Sequence, residues 1–143
     1  MMTCFLASNI SLSLSIGTTP TCSHTNPPAK DESIEIGSEI YLDFCARCHK
    51  RDGLGIESLI PPLKNSDYLL NNYDLSIAGL KFGLSGRIVV NGKIYEGYMA
   101  YQGLDHEEIA DVMNYILNEW GNQSDEFITA KQVAKIPKSI MKQ

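Results

Sequence analysis

The stretch Cys45-Ala46-Arg47-Cys48-His49 constrains this chain most, because it places two thiols and an imidazole within about one helical turn. It follows an apolar pattern of helical period, so it falls at the end of a predicted helix. Residues at positions i, i+3 and i+4 share one helix face, and both sulfurs and the imidazole can therefore contact the same ligand. A Cys-x-x-Cys-His sequence is typical of covalent haem attachment, in which two thiols bond to one edge of the macrocycle and the histidine reaches the iron.

Two other chemistries use the same residue types. A structural zinc site needs four ligands and usually a second Cys/His pair, for which Cys22 and His24 are the candidates. A dithiol oxidoreductase carries its cysteines just after a strand, at the start of a helix, whereas this pair ends a helix. The spacing favours haem attachment and leaves both alternatives open.

The composition is that of a soluble globular protein with one compact domain. The chain has 143 residues, of which 43% are hydrophobic and 20% are charged, and no apolar run approaches the roughly 18 residues of a membrane-spanning helix. The formal net charge of −5 argues against nucleic acid as a partner. A domain this small buries only about two thirds of its unfolded surface, so a bound cofactor would help to complete its core.

Three parts are predicted along the chain. Residues 1–32 begin with a Ser- and Leu-rich stretch like the apolar part of an export signal, without its basic start, and continue into a linker rich in Pro, Thr and Ser. They are interpreted as an export signal, a membrane tether or a flexible tail. Residues 33–122 form the main domain, and residues 123–143 form an extension with one short helix.

Helical periodicity is clearest at the two ends of the main domain. The first helix is predicted to run from Ser33, as N-cap, to about Arg47, and Gly37 within it indicates a close approach to another helix. Its apolar stripe comprises Ile36, Ile40, Tyr41 and Phe44. The last helix is predicted from a capping box of Asp105 and Glu108 and ends at Gly121. Its stripe comprises Ile109, Val112, Met113, Ile116, Leu117 and Trp120.

The same capping-box pattern recurs at Thr129 and Gln132 and predicts the short helix of the extension. Between the main helices, Ser66 or Asp67 and then Asp74 are candidate caps of short helices. The dipeptide Asn91-Gly92 suits a type I′ turn and predicts a β-hairpin over Ile88–Tyr95. The fold class is therefore all-α, with three to five helices and one small hairpin ahead of Met99.

If haem is attached, the iron face opposite His49 needs a ligand or stays open. Met113 belongs to the stripe of the last helix and is interpreted as core filler, and His106 begins a capped helix and is expected in solvent. Met99 lies in a turn-rich segment without helical period, where filling a gap beneath a loop is the simplest role. The full set of candidates is Met99, Met113, Met141, His24 and His106.

As a set, these motifs resemble the small class I c-type cytochromes, particularly bacterial periplasmic ones. The match covers Ser33 to Asn122 in the family's order and ends in the motif Trp120-Gly121-Asn122. Before that come the glycine and aromatic of the N-terminal helix, the attachment motif, the proline-leucine loop and the helix-crossing pair. In this chain they are Gly37, Tyr41, Cys45–His49, Pro61-Pro62-Leu63, Val112 and Tyr115. The stretch "GLSGRIVVNGKIYEGYM" is similar to cytochromes that serve dehydrogenases, nitrite reductases and terminal oxidases.

The resemblance implies one haem c, bound covalently through Cys45 and Cys48. It implies His49 and Met99 as the iron ligands, with the carbonyl of Pro61 accepting a hydrogen bond from Nδ1 of His49. This chain departs from the family at Ala100, where a proline usually follows the ligating methionine. Proline would stiffen the ligand loop, so Ala100 predicts a Met99–iron bond that breaks more easily.

The implied function is that of a monomeric one-electron carrier, and not of an enzyme. It would be periplasmic, free or membrane-associated, and would carry electrons between respiratory or dehydrogenase partners. Its partners would be redox proteins that dock transiently, and the charge of −5 favours partners with a basic or apolar docking face. One alternative is a haem domain whose labile distal Met99 lets it act as a peroxidase or gas sensor. A second alternative is a zinc module built on cysteine and histidine.

Overall fold

The structure, a computed structural model, describes residues 29–142. A π-helical turn at Tyr41–Cys45 joins the first two helices without a break, and a 3₁₀ turn at Lys138–Lys142 follows the last helix. The helices are α1 (Lys30–Ile40), α2 (Ala46–His49), α3 (Asp67–Asn71), α4 (Tyr73–Phe82), α5 (His106–Ile116) and α6 (Ala130–Lys135). Strands β1 (Leu84–Val90) and β2 (Lys93–Met99) form an antiparallel hairpin. A helical fold with one small hairpin is thus confirmed, while the predicted export signal, Cys22 and His24 lie outside the described residues.

Helix α1 has Ala29 at its N-cap, four residues before the predicted Ser33, and Ser33 is an interior residue of the helix. Its side chain is fully buried, and its hydroxyl donates to Oδ1 of Asp111 at 2.6 Å. Acidic residues Asp31 and Glu32 occupy the first turn, where they stabilise the positive end of the helix dipole. The predicted stripe is therefore partly wrong: Ile40 and Tyr41 are buried, whereas Ile36 and Phe44 are exposed.

The α1–α5 crossing is a close approach of two backbones in the core. A Cβ added at Gly37 would overlap the backbone carbonyl of Asp111 and would lie 2.9 Å from Cβ of Tyr115. Val112, one residue further along α5, is fully buried. The close approach predicted from Gly37 is confirmed, because only a residue without a side chain allows these two backbones to touch.

Helix α5 is buried on all sides rather than along one stripe. Every residue from Ile109 to Ile116 is buried, including the polar Asp111 and Asn114. The Asn114 side chain donates to the carbonyl of Ile128 at 2.9 Å and accepts from its backbone N–H at 2.8 Å. Residues of the predicted extension thereby cover the face of α5 that the sequence assigned to solvent. Both predicted capping boxes, at Asp105 and at Thr129, are present.

The hairpin is longer than the predicted Ile88–Tyr95, since it pairs Leu84 with Met99 at its open end. Met99 is therefore the last residue of a strand rather than part of an irregular segment. Asn91 and Gly92 both have positive φ, as the predicted type I′ turn requires. Reciprocal bonds between Asp67 and Asn91, of 2.6 and 3.0 Å, attach the hairpin tip to the start of α3.

The short helices and the end of α5 differ from prediction in detail. Ser66 caps α3 by accepting from the N–H of Leu69. Helix α4 begins at Tyr73 with Asn72 in the N-cap position, so Asp74 lies in its first turn and is not the cap. Helix α5 ends at Ile116, because Trp120 adopts positive φ and belongs to the turn that follows. Within residues 29–142, no helix is both long and apolar enough to cross a membrane.

Candidate cofactor site

One cavity of about 560 Å³ lies between α2, the loop before α3, helix α4, the hairpin and helix α5. This volume is within the roughly 300–1,000 Å³ of small-molecule and cofactor sites. Its walls are mostly apolar and include Leu63, Leu69, Leu80, Val90, Val112 and Ile116. The five residues singled out from the sequence all line it: Cys45, Cys48, His49, Pro61 and Met99. The fold therefore brings these five residues together around one space, although Met99 follows His49 by 50 positions in the chain.

The two thiols at this cavity are unpaired with each other; Cys45 is half-buried and Cys48 is exposed. Burial, and secondarily the neighbouring Cys48, raises the pKa of Cys45 to about 11. A dithiol redox centre requires a lowered thiol pKa, usually at a helix N-terminus, and the raised pKa of Cys45 is opposite to that requirement. No group of three or more His, Cys, Asp or Glu side chains between Ala29 and Lys142 is arranged to hold a metal ion.

His49 is held in one orientation by the loop opposite. Its Nδ1 lies 3.1 Å from the carbonyl oxygen of Pro61, so the imidazole donates through Nδ1 and leaves the lone pair of Nε2 free for a metal. Burial lowers the pKa of His49, while the bond to Pro61 opposes that shift. The side chain is consequently neutral at neutral pH, which is the state in which histidine ligates iron.

Two glycines fold the loop tightly enough for Pro61 to reach His49. The N–H of Gly55 donates to the carbonyl of His49 at 3.0 Å, and Gly53 accepts from the N–H of Leu63 at 2.8 Å. Both glycines have positive φ, and a Cβ on Gly55 would overlap the carbonyl of Ile60. The backbone between His49 and Leu63 therefore forms a closed turn that other residues would strain.

Asn122 attaches this loop to the end of α5, a role that the sequence analysis missed. Its Oδ1 accepts from the N–H of Asn65 at 2.7 Å. Its Nδ2 donates to the carbonyls of Leu63 at 3.0 Å and Ile116 at 2.7 Å. The motif Trp120-Gly121-Asn122 was noticed as part of the resemblance, but nothing local in the sequence shows what the amide contacts.

An aromatic cluster supports the other side of the loop. Tyr41, Tyr115 and Trp120 lie with ring centroids 5.0 to 5.6 Å apart. Trp120 donates through Nε1 to the carbonyl of Arg51 at 2.9 Å, and Tyr41 donates through its hydroxyl to the carbonyl of Lys50. These two bonds fix the chain immediately after His49.

Met99 enters the cavity from the end of β2 and packs against α4. A Cβ on Gly79 would lie 3.7 Å from Cε of Met99, an ordinary van der Waals contact. Met113 also lines the cavity and is fully buried within α5, so two thioethers face this space. Met141 and His106 do not line it, and His24 lies outside the described residues.

One polar atom of the cavity wall is left without a partner. The hydroxyl of Ser76 on α4 is buried and has no hydrogen-bond partner among residues 29–142, and Ser76 lines the cavity. An unsatisfied buried hydroxyl costs on the order of 1–3 kcal/mol. An occupant with a polar group, in an otherwise apolar space bordered by two thiols and a neutral imidazole, would remove that cost.

Comparison with known proteins shows the family of this chain. The family model for cytochrome c matches residues 34–120. The chain is 36% identical over 109 residues to cytochrome c-552 of Thermus thermophilus, a match that covers 70% of this chain and 82% of that protein.

Two further relatives are subunits of dehydrogenases, and this chain spans only a small part of each. The cytochrome c subunit of the alcohol dehydrogenase (quinone) of Gluconobacter oxydans is 30% identical over 104 residues, covering 70% of this chain and 21% of the subunit. The gluconate 2-dehydrogenase cytochrome c subunit of Pantoea cypripedii is 28% identical over 116 residues, covering 76% of this chain and 25% of the subunit. The chain belongs to the cytochrome c family, and as a member of it is a haem-based electron carrier with covalently bound haem c.

Proposed function

We propose that this chain is a periplasmic one-electron carrier whose haem c is attached through Cys45 and Cys48 and whose iron is ligated by His49 and Met99. The observation that carries this proposal is the convergence of all four side chains on one apolar cavity, with His49 oriented by the carbonyl of Pro61 at 3.1 Å. The cavity fits the cofactor in volume and polarity, and the hydroxyl of Ser76 offers one hydrogen bond to a polar group on it.

The residues of the chain have separate tasks in this proposal. When bound, haem c supplies an iron that gains and loses one electron. The thiols of Cys45 and Cys48 form thioether bonds to the haem edge, which makes loss of the cofactor impossible without breaking a covalent bond. Pro61 holds His49 in the tautomer that presents Nε2, and it does so as a backbone acceptor whose position the closed loop determines.

Met99 is proposed over Met113 because of where each thioether is anchored. Met113 is fully buried in the middle of α5, with neighbours in the core on either side. Met99 is half-buried and lines the cavity at the end of β2, directly before the segment that joins the hairpin to α5. A thioether ligand and an apolar surrounding both favour the less charged ferrous state and so raise the reduction potential.

The proposed partners are redox proteins, with a dehydrogenase as one of them, as the names of the two dehydrogenase-subunit relatives suggest. Phe44 and Leu59 line the cavity and remain 44% and 64% exposed. Such apolar side chains at the cavity mouth suit a small, transient docking interface. The chain would act as a monomer, and export is proposed because c-type haem is attached on the outer side of energy-transducing membranes.

The test is production of the chain together with a c-type cytochrome maturation system. We expect a haem-staining band on a denaturing gel and, in the ferric protein, the weak near-infrared band of a methionine–iron bond. Met99→Ala should abolish that near-infrared band, whereas the matched variant Met113→Leu should retain it. Absence of covalent haem would refute the proposal, and ready binding of CO by the wild-type ferrous protein would favour a gas-binding or peroxidase function instead.

A further inference from the structure

The last turn of α4 contacts the segment that carries Met99. Gly79 faces the Met99 side chain, with 3.7 Å between Cε and a Cβ placed on the glycine. Gly83, at φ +80°, faces the backbone after it: a Cβ there would lie 3.0 Å from the carbonyl oxygen of Met99 and 3.2 Å from the nitrogen of Tyr101. The position of this turn therefore determines where the backbone of Met99, Ala100 and Tyr101 lies.

Lys81, between these two glycines, extends from α4 to a different part of the chain. Its ammonium donates to the carbonyls of Val133 at 2.7 Å, Ala134 at 3.0 Å and Ile136 at 3.2 Å. These are carbonyls at the C-terminal end of α6, where a helix leaves acceptors unsatisfied and where its dipole favours a cation. An ammonium has three donors, so all of them are used in this one contact.

We propose that Lys81 is a positioning residue for Met99: by capping α6 it ties the C-terminal segment to α4 and thereby holds the Met99 segment in place. This inference rests on the proposed ligation of iron by Met99. The contact made by Lys81 restrains the backbone that follows Met99. A proline at position 100 would restrict that backbone directly, and Ala100 does not. In this chain the restraint on the Met99 segment comes from its contacts with Gly79 and Gly83 at the end of α4, a turn that Lys81 holds in place.

The C-terminal segment is itself well anchored, as the proposal requires. Ile128 and Val133 are buried in the same core as α5, and Asn114 exchanges two hydrogen bonds with Ile128. Thr129 and Gln132 cap the start of α6. The end of α6 that Lys81 contacts is therefore attached to the core through α5, and Lys81 connects it to α4.

The experiment compares the holoproteins of wild type, Lys81→Gln, Lys81→Arg and Lys131→Gln. Lys131 is an exposed residue of α6, so Lys131→Gln makes the same charge change without removing the cap. Imidazole is titrated into each ferric protein at a temperature where circular dichroism shows all four to be folded, and loss of the methionine–iron band is followed. Because imidazole must displace Met99, its apparent affinity reports how firmly Met99 is held.

We expect Lys81→Gln to bind imidazole roughly 3- to 10-fold more tightly than wild type. Lys81→Arg, which keeps a charged donor, should restore most of the wild-type resistance, and Lys131→Gln should match wild type. If Lys81→Gln behaves like Lys131→Gln, the role of Lys81 is refuted. If wild type has no methionine–iron band, Met99 ligation itself fails, which is a distinguishable result.

If Lys81→Gln does not fold, amide hydrogen exchange measured on the wild type alone still tests the proposal. Coupling between two sites is reciprocal, so displacement of Met99 by imidazole should speed amide hydrogen exchange at residues 133–136. The N-terminal part of α1 serves as the internal reference, since the hydrogen bonds of Lys30 and Ser33 there are made with Ser124, Asp111 and Asn114, which lie outside α6 and the Met99 segment. Unchanged exchange at residues 133–136 in saturating imidazole would overturn the inference.

Discussion

Gly37 of α1 lies directly against the backbone carbonyl of Asp111 in α5, so the two helices cross with no side chain between them. On one side of this contact Ser33 donates to Asp111, and on the other the ring of Tyr41 packs against Tyr115. The crossing fixes the direction in which α1 continues into Cys45, Cys48 and His49. The geometry of the haem site therefore depends on a contact outside the cavity.

Replacement of Gly37 by alanine should destabilise the holoprotein. The added Cβ overlaps the Asp111 carbonyl, and the helices must separate or the crossing must rotate. Overpacking of this kind typically costs about 1–3 kcal/mol, measurable as the free energy of unfolding in urea. Glu39→Ala is the control, because Glu39 is exposed on the same helix. Equal stabilities of the two variants would show that the crossing adapts freely.

Asp111→Asn should remove a pH dependence of stability. Burial, aided by the charges of Glu107, Asp105 and Glu32, raises the pKa of Asp111, although the bond from Ser33 opposes the shift. In the range between the unfolded and the raised folded pKa, the folded state binds more protons than the unfolded state, so stability falls as pH rises through that range.

Thermal midpoints measured from about pH 4 to pH 7 check this prediction. The wild type should lose stability over this range relative to Asp111→Asn, whose neutral amide can still accept from Ser33 through its oxygen. Asp125→Asn, at an exposed position, should keep the wild-type slope. A wild-type slope in Asp111→Asn as well would assign the effect to other groups.

Asn122→Ala should both destabilise the protein and shift its reduction potential. The change removes three hydrogen bonds, to Asn65, Leu63 and Ile116, and at about 1 kcal/mol each the loss is roughly 3 kcal/mol. Because Asn122 secures the loop that carries Pro61, the orientation of His49 should also loosen. Urea unfolding and a spectroelectrochemical titration measure the two effects.

Asn118→Ala provides the comparison for Asn122. The Asn118 side chain donates to the carbonyl of Asn114 at 2.8 Å, at the end of α5 and not in the loop. We expect about 1 kcal/mol or less of destabilisation and an unchanged potential. A potential that moves equally in both variants would mean that Asn122 has no specific effect on His49.

The double variant Cys45→Ala/Cys48→Ala should lack covalent haem and most of the helical structure. A cavity of about 560 Å³ removes apolar contacts from the centre of a small domain, and without the cofactor the remaining core is too small for stability. Far-UV circular dichroism of the purified double variant measures the loss, with Cys22→Ala as a control that retains haem. Full native helicity in the double variant would contradict the prediction.

Features that depend on neighbouring residues were predicted well from the sequence. The capping boxes at Asp105 and Thr129 and the turn at Asn91-Gly92 are all present, because each is satisfied within a few residues of chain. Boundaries that depend on distant partners were predicted poorly. The sequence predicts Ser33 as a cap, because nothing local shows that its hydroxyl donates to Asp111, 78 positions further along the chain.

By itself, the sequence predicted haem attachment at Cys45 and Cys48, because the spacing of these thiols and His49 on a helix is a local property. It also indicated Pro61 and Met99, but only through resemblance to a family. The tertiary structure decided what holds those residues: the bond from Asn122 to the Pro61 loop, the contact of Gly79 with Met99, and the cap that Lys81 places on α6. Each of these contacts joins segments far apart in the chain. They follow from how the helices cross, and the spacing of residue types along the sequence does not show that crossing.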